Sequence, residues 1–317
     1  MLRHNNWMQH SFDDGPINGS KPNKNSVFKL HFAKNIQAKD MSYYRALFHN
    51  ASMIAEDFPQ PFDVLFSGGI DSEIMIRVNH ALGIRQNVHI IRLENDYNVR
   101  DVATAKNICQ DIGINLNIID WNLEKWIENE AEGYYKQTFT PYVERLVRFA
   151  WFKMFDNVIL MGEGEPYWRR EICPNYMLEE NWGKLPDYSI KSKWHLHWVE
   201  DYFASSLYSD FIKQPVIGEW YNYTPEIANA YHKLPIIKKL INDELTHKVS
   251  SWSSRTRIHR RIFPTINDKV KLVGYEGSEG IPFSVPEFLK KFQNEIMKDT
   301  RNTCYKFSSE DIDNLLT

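Results

Sequence analysis

The sequence predicts an α/β protein built on an open parallel sheet with helices on both faces. Short apolar runs alternate with helical patterns between residues 62 and 161, and the first two of these helical patterns end at Gly83 and Gly113. A glycine-rich loop joins the first apolar run to the first of these helices. Strands that alternate with helices are joined by right-handed crossovers, so the strands run parallel and the helices cover both faces of the sheet.

The apolar patterns place each element. Short apolar runs are typical of buried strands, and segments with a helical apolar period are typical of helices. The expected strands are 62–66, 87–93, 114–121 and 157–161, and the expected helices are 41–57, 72–83, 99–113, 123–137 and 141–155.

Three regions follow from this pattern. Residues 1–58 form an N-terminal arm and one helix, in which 1–27 is polar and is expected to be a loop outside the core. Residues 59–165 form the α/β domain. Residues 166–317 are expected to be a mostly helical substrate or closure region, with helices at 193–213 and 225–248.

Composition excludes several classes of protein. Of 317 residues, 43% are hydrophobic and 25% charged, which is ordinary for a globular protein. The formal net charge of -3 gives no general attraction to nucleic acid or to an anionic membrane. Three cysteines without metal-ligand spacing argue against a disulfide scaffold. No apolar run is long enough for a signal peptide or a membrane span, so we expect a cytoplasmic protein.

The loop SGGIDS at 67–72 carries the chemistry. Its two glycines allow a tight turn and a close approach to a ligand, and the loop opens a helix whose first N–H groups attract phosphate. Ser67 and Ser72 add hydroxyl groups. Asp71 would repel a bare phosphate, but it fits if Mg²⁺ lies between the two. The alternative is that Asp71 or Ser72 only caps the helix.

The string SGG-x-DS after a strand resembles the PP-loop of the N-type ATP pyrophosphatases. The resemblance implies the nucleotide-binding fold of the adenine nucleotide alpha hydrolases (the HUP fold), with ATP and Mg²⁺ as cofactors. Members cleave ATP between the α and β phosphates, typically to adenylate a carbonyl oxygen that a nitrogen or sulfur nucleophile then attacks.

A second stretch, NVILMGEGEPYW at 157–168, is similar to the strand and loop of the asparagine synthetase domain. The resemblance covers about 60–165 and implies roles residue by residue. It assigns the pyrophosphate loop to Ser67, Gly68, Gly69, Ile70, Asp71 and Ser72, the strand ends beside adenine to Leu65 and Leu93, the nucleoside positions to Met161 and Gly162, and a catalytic position near the phosphates to Glu163.

Two departures from that family are visible. Pro166 stands where the family has a metal-holding Asp, and Glu165 is the candidate to replace it beside Asp71. The family's glutaminase half has its nucleophilic Cys after the initiator Met, where this chain has Leu2. If an amide is formed, we therefore expect ammonia or an amine from another source.

Other candidates lie further along the chain. Arg169, with Arg170, follows the second motif and could bind a substrate carboxylate, so Arg169 joins Asp71 and Glu163 as a candidate catalytic residue. The basic cluster at 255–261, like Lys269 and Lys271, could close over phosphates; a solvated face is the alternative. His195 and His197 are not expected to hold a metal if they lie on a helix, Cys109 is expected in the core, and Cys173 is a candidate for sulfur transfer.

The sequence therefore supports three hypotheses. The first is an AMP-forming ligase, similar to asparagine synthetase, that acts on a small carboxylate or carbonyl compound. The second is a PP-loop enzyme that modifies RNA or a nucleotide, which 255–261 motivates and the net charge opposes. The third is a non-catalytic nucleotide-binding protein, which Pro166 motivates.

Overall fold

The computed structural model describes most of the chain up to residue 163 and parts of the remainder. The described residues are 7–13, 15–23, 25–140, 143–163, 168–170, 194–199, 204–235, 237–238, 248–249, 291 and 304–316. The strands are β1 (Met8–Phe12), β2 (Phe28–Phe32), β3 (Phe62–Leu65), β4 (Gln86–Leu93), β5 (Leu116–Trp121), β6 (Ile159–Met161), β7 (Trp168–Arg170), β8 (Trp194–Val199), β9 (Val216–Ile217), β10 (Lys248–Val249) and β11 (Cys304–Phe307). The helices are α1 (Tyr43–Asp57), α2 (Ile70–Ala81), α3 (Val99–Ile112), α4 (Leu123–Asn129), α5 (Ala131–Thr138), α6 (Val143–Phe152), α7 (Ala204–Ile212), α8 (Pro225–His232) and α9 (Ser309–Leu316).

The main sheet has five strands in the order β5-β4-β3-β6-β9, and all neighbouring pairs are parallel. This confirms the predicted fold class. The four strands expected from the sequence are present with ends shifted by up to two residues, and β9 joins them as an edge strand. The first strand along the α/β pattern, β3, is therefore the central strand of the sheet.

Helices cover both faces of this sheet. Successive strand residues point to opposite faces, and the buried apolar residues accordingly fall into two clusters. The α1 face joins Val64, Val88 and Leu160 to helices α1, α2, α3 and α8. The α6 face joins Ile159 and Met161 to helices α4, α5, α6 and α7.

One buried polar group interrupts the α6 face. The Asp63 side chain accepts hydrogen bonds from the Asn87 side chain (3.0 Å) and from the backbone and side chain of Asn157 (3.1 and 3.0 Å), and its Oδ1 lies 3.0 Å from Nε2 of His89. Burial raises the pKa of Asp63, but these hydrogen bonds outweigh burial and lower the pKa to about 2. The carboxylate thus ties together β3, β4 and the segment that precedes β6.

The expectation of an N-terminal loop outside the core is wrong for β1. Strands β1 and β2 form an antiparallel hairpin in which Met8, Phe12 and Phe28 are buried. The Nε1 group of the buried Trp7 also donates to the Asn222 carbonyl at 2.8 Å. Polar residues dominate the composition of this segment, but a few apolar side chains suffice to anchor it.

The expectation of a helix over 193–213 is wrong in its first part. Residues 194–199 form β8, which pairs with β7 and β11 in an antiparallel sheet of order β10-β7-β8-β11, and among the described residues of this segment the helix covers 204–212. His195 and His197 therefore belong to a strand, where they pair in register with Arg169 and Lys306. The described part of 166–317 therefore contains strands as well as helices. Pairing with distant segments decided between strand and helix here.

No helix among the described residues is both long enough and apolar enough to cross a membrane. Cys109 is buried in the α1 face, which confirms its expected place in the core, and burial raises the pKa of its thiol to about 12.

Candidate functional site

The carboxyl ends of β3, β6 and β9 meet at one edge of the sheet, because the three strands are parallel neighbours. The segments that leave these ends are 66–69, 162–163 and 218–219. Ligands of open α/β sheets bind at this edge, where loops diverge from the strands. The SGGIDS loop thus lies where the fold itself favours a ligand site.

Within the loop, the two serines hold the turn together. Their hydroxyl oxygens lie 3.1 Å apart, the Ser67 hydroxyl accepts from the Gly69 amide at 3.3 Å, and the Ser72 hydroxyl donates to the Gly69 carbonyl at 3.1 Å. Gly69 is the N-cap of α2 and has no side chain to cap it. The positive end of the α2 dipole is therefore left for a ligand anion instead of a capping side chain.

Two glycines allow the loop to pack tightly. Gly68 has φ +73°, and a Cβ atom there would lie 2.9 Å from the Asp101 carbonyl oxygen in the first turn of α3. A Cβ atom on Gly162 would lie 2.6 Å from Cα and 2.8 Å from the backbone nitrogen of Ser72. The loop is thus in backbone contact with α3 on one side and with the second motif on the other.

A segment that the sequence did not identify supports this contact. Gly162 forms an isolated antiparallel bridge with Glu219. The Tyr221 amide donates to the Glu163 carbonyl at 3.3 Å, and the Tyr221 hydroxyl donates to the Asp71 carbonyl at 3.0 Å. Tyr221 therefore links the first turn of α2 to the second motif.

The same segment is anchored to α1. The buried Asn50 side chain donates to the Trp220 carbonyl at 2.7 Å and accepts from the Thr224 amide at 2.9 Å. Removing such a buried amide would leave several backbone groups unpaired, which is costly. Asn50 thus ties the segment that contains Tyr221 to helix α1.

Glu163 is held by two arginines on α6. Arg148 Nη2 lies 2.6 Å from one carboxylate oxygen, and Arg145 pairs with the other. The two arginines are three residues apart and therefore project from one side of the helix. Burial raises the pKa of Glu163, but the two positive charges outweigh burial and lower the pKa to about 2. Glu163 is thus a carboxylate at neutral pH.

The expected adenine and nucleoside positions are only partly brought together. Leu65, an expected adenine position, and Met161, an expected nucleoside position, are register partners at the carboxyl ends of β3 and β6, and both contact the α6-face core. Leu93, the other expected adenine position, is buried in the same core but pairs with Trp121 on β5, well beyond the end of β3. Their contact with the nucleotide stays a prediction.

The metal and catalytic positions are partly described. Asp71 lies half-buried in the first turn of α2, and Arg169 is the central residue of β7, where it pairs in register with His195 and Lys248. Their roles stay predictions. Several other candidates lie outside the described residues: Glu165, Pro166, Cys173, the 255–261 cluster, Lys269 and Lys271.

Arg145, Arg148 and Tyr221 were not among the residues expected from the sequence. A signal for the arginines was present, since they flank Leu146 and Val147, which are fully buried, on a helix that is apolar apart from these arginines and Glu144. Charged residues at such positions need a partner. No comparable signal exists for Tyr221, because its role depends on β9 joining the sheet.

A second cleft, with a volume of about 420 Å³, opens at the amino-terminal edge of the sheet, away from the loop. It is lined by His80, Ile84, Gln86, Asn87, Ile114, Asn115 and Asn117. Gln86 and Asn87 already bond within the fold, to the Ile76 carbonyl and to Asp63. We therefore place the candidate site at the carboxyl edge, where the loop and the helix N-terminus converge.

Comparison with known protein families finds no match. Comparison with curated proteins finds none either.

Solved structures give partial likenesses. The NH3-dependent NAD synthetase of Campylobacter jejuni is 17% identical over 39% of this chain and 58% of its own, with a TM-score of 0.28. The NMN synthetase of Francisella tularensis is 18% identical over 39% and 56%, with a TM-score of 0.29. The glutamine-dependent NAD+ synthetase of Acinetobacter baumannii is 13% identical over 87% and 54%, with a TM-score of 0.31. The chain thus spans little more than half the length of these three proteins.

Proposed function

We propose that the protein is an AMP-forming, ATP-dependent ligase that joins a carboxylate or carbonyl compound to a nitrogen nucleophile. The observation that carries the proposal is the SGGIDS loop, which leaves the central parallel strand and opens α2 with an N-cap that has no side chain. Phosphate groups are the usual ligands of such a helix N-terminus.

In the proposed reaction, an oxygen of the carboxylate attacks the α-phosphorus of ATP, and pyrophosphate leaves. The nitrogen nucleophile then attacks the acyl carbon, and AMP leaves. The protein contributes mainly positioning and stabilisation of charge. The loop amides and the Ser67 and Ser72 hydroxyls are the groups that we assign to the phosphates.

The described residues suit Mg²⁺ bound together with ATP. They contain no group of three or more His, Cys, Asp or Glu residues able to hold a metal ion by themselves. Mg²⁺ typically takes one or two protein carboxylates and completes its shell with phosphate oxygens and water. Asp71 is the carboxylate that we assign to this role, and the ion, when bound, would neutralise phosphate charge.

The test is the exchange of labelled pyrophosphate into ATP in the presence of a panel of carboxylates. We expect Mg²⁺-dependent exchange with the correct acid, and its loss in Asp71→Ala. Asp111→Ala is the matched control, because Asp111 is exposed near the end of α3. Turnover that forms ADP, or full exchange in Asp71→Ala, would contradict the proposal. Nucleotide binding without pyrophosphate release for every partner would favour the non-catalytic alternative.

A further inference from the structure

The arginine pair on α6 has more hydrogen-bonding capacity than Glu163 uses. Nη1 of Arg148 is buried and has no hydrogen-bond partner among the described residues. Arg145 and Arg148 are 15% and 12% exposed, so neither charge is well solvated. Buried polar groups are almost always paired, so an unpaired guanidinium nitrogen beside a candidate site needs an explanation.

Charge leads to the same conclusion. Burial lowers the pKa of Arg148, but the Glu163 charge outweighs burial, so the pKa is raised and the arginine stays protonated. Arg148 shares the single Glu163 carboxylate with Arg145, and its own Nη1 group has no hydrogen-bond partner among the described residues. A second anion would accept the N–H groups that Arg148 does not use on Glu163.

Position connects the pair to the loop. Glu163 directly follows Gly162, which is in van der Waals contact with the Ser72 backbone. The Tyr208 hydroxyl donates to the Arg145 carbonyl at 2.9 Å, and the Tyr221 amide donates to the Glu163 carbonyl at 3.3 Å. Glu163, which both arginines contact, therefore lies one residue away from the contact between Gly162 and the SGGIDS loop.

We propose that Arg145 and Arg148 form an oxyanion subsite beside the SGGIDS loop. The subsite rests on the proposed function, and the oxyanion that it takes is either a carboxylate of the acceptor substrate or the pyrophosphate released from ATP. Glu163 orients the two guanidinium groups and lowers their net charge, so that the bound anion can also leave. A guanidinium fork matches the spacing of two oxygens on a carboxylate or a phosphate.

The experiment titrates two kinds of probe by calorimetry: magnesium pyrophosphate, and the dicarboxylates malonate, succinate and glutarate. We expect Arg148→Gln to weaken the binding of one of these two kinds of probe by on the order of tenfold, which corresponds to the loss of a hydrogen bond to a charged group. Arg148→Lys recovers only part of this, because an ammonium group lacks the planar fork. Arg85→Gln is the matched control, since Arg85 is exposed at the opposite edge of the sheet.

Glu163→Gln gives an effect of opposite sign. It removes the competing carboxylate and should tighten binding of the same probe, whereas a purely structural role for the ion pairs would weaken binding or leave it unchanged. If Arg148→Gln fails to fold, this variant decides the matter alone. Weakening confined to pyrophosphate assigns the subsite to ATP, and weakening confined to the dicarboxylates assigns it to the acceptor.

Three results would overturn the subsite: no binding of either probe to the wild type, equal affinities in Arg148→Gln and Arg85→Gln, or weaker or unchanged binding in Glu163→Gln. The proposed function fails separately. Wild-type exchange of pyrophosphate into ATP, together with unaltered probe binding in the Arg148 variants, would remove the subsite alone. Arg148-dependent binding without any exchange would remove the ligase alone.

Discussion

The contact between Gly162 and the SGGIDS loop can be tested with one methyl group. In Gly162→Ala the new Cβ would lie 2.6 Å from Cα of Ser72 and 3.0 Å from the carbonyl carbon of Asp71. Carbon atoms pack best at about 3.5–4.0 Å, so the two backbones must separate by roughly 1 Å. Neither backbone segment can shift easily, because Gly162 forms a β-bridge with Glu219 and Ser72 lies inside α2.

The substitution is expected to reduce both the stability of the protein and the function of the site. Overpacking of this kind destabilises a protein by about 1–3 kcal/mol. A displacement of about 1 Å in a site that positions reactants can cost about 100-fold in rate. We therefore expect Gly162→Ala to lower the free energy of unfolding by about 2 kcal/mol. We also expect it to weaken ATP binding by on the order of tenfold, since hydrogen bonds to a charged phosphate are lost.

The assays are urea denaturation for the free energy of unfolding and calorimetry for the affinity of Mg·ATP. Gly133→Ala is the control, because Gly133 lies within α5 and an added Cβ meets no atom within 4 Å among the described residues. There the same substitution should stabilise the protein by roughly 0.5–1 kcal/mol, since alanine favours the helix. Wild-type stability and wild-type ATP affinity in Gly162→Ala would refute the close contact and its role.

Two further predictions concern Asp63 and Tyr221. With a folded pKa of about 2 against an ordinary 3.8, Asp63 stabilises the fold by about 2 kcal/mol above pH 4, and this is lost as the pH falls toward 2. Asp63→Asn should therefore be less stable than the wild type at pH 7 but show a smaller decline between pH 4 and 2 in urea denaturation; equal declines would refute the assignment. Tyr221→Phe removes the hydrogen bond to the Asp71 carbonyl, so it should cost about 1 kcal/mol of stability and weaken Mg·ATP binding several-fold. Tyr223→Phe, which loses a bond to Asp57 instead, should cost similar stability and keep its ATP affinity; equal affinity losses in calorimetry would contradict the role of Tyr221.

Sequence patterns were sufficient for elements whose periodicity is continuous along the chain. Strands β3 to β6 and helices α1 to α3 lie within a few residues of their predicted bounds. Their apolar residues repeat with the period of a buried strand or a two-sided helix, and glycines close α2 and α3. The glycine turn before α2 could also be predicted without tertiary information, because Gly68 and Gly69 closely follow an apolar run in the sequence.

Patterns failed where pairing with a distant segment decides the conformation. Residues 194–199 alternate in a way that allows a strand, but the preference was settled by β7 and β11, more than 20 and 100 residues away. The β1–β2 hairpin is similar, because its few apolar residues become informative only when they pack together. Intrinsic preference is weak, and such tertiary contacts override it.

The sequence by itself therefore determined the parallel sheet, the strand–loop–helix unit at 62–81 and the place of the SGGIDS loop within it. Each of these depends on residues that are neighbours along the chain. Only the tertiary structure decided what surrounds the loop: Gly162 against Ser72, Tyr221 on Asp71, and Arg145 with Arg148 on Glu163. These contacts join residues 15 to 150 positions apart, and they exist because β6 and β9 lie beside β3 with their carboxyl ends at one edge.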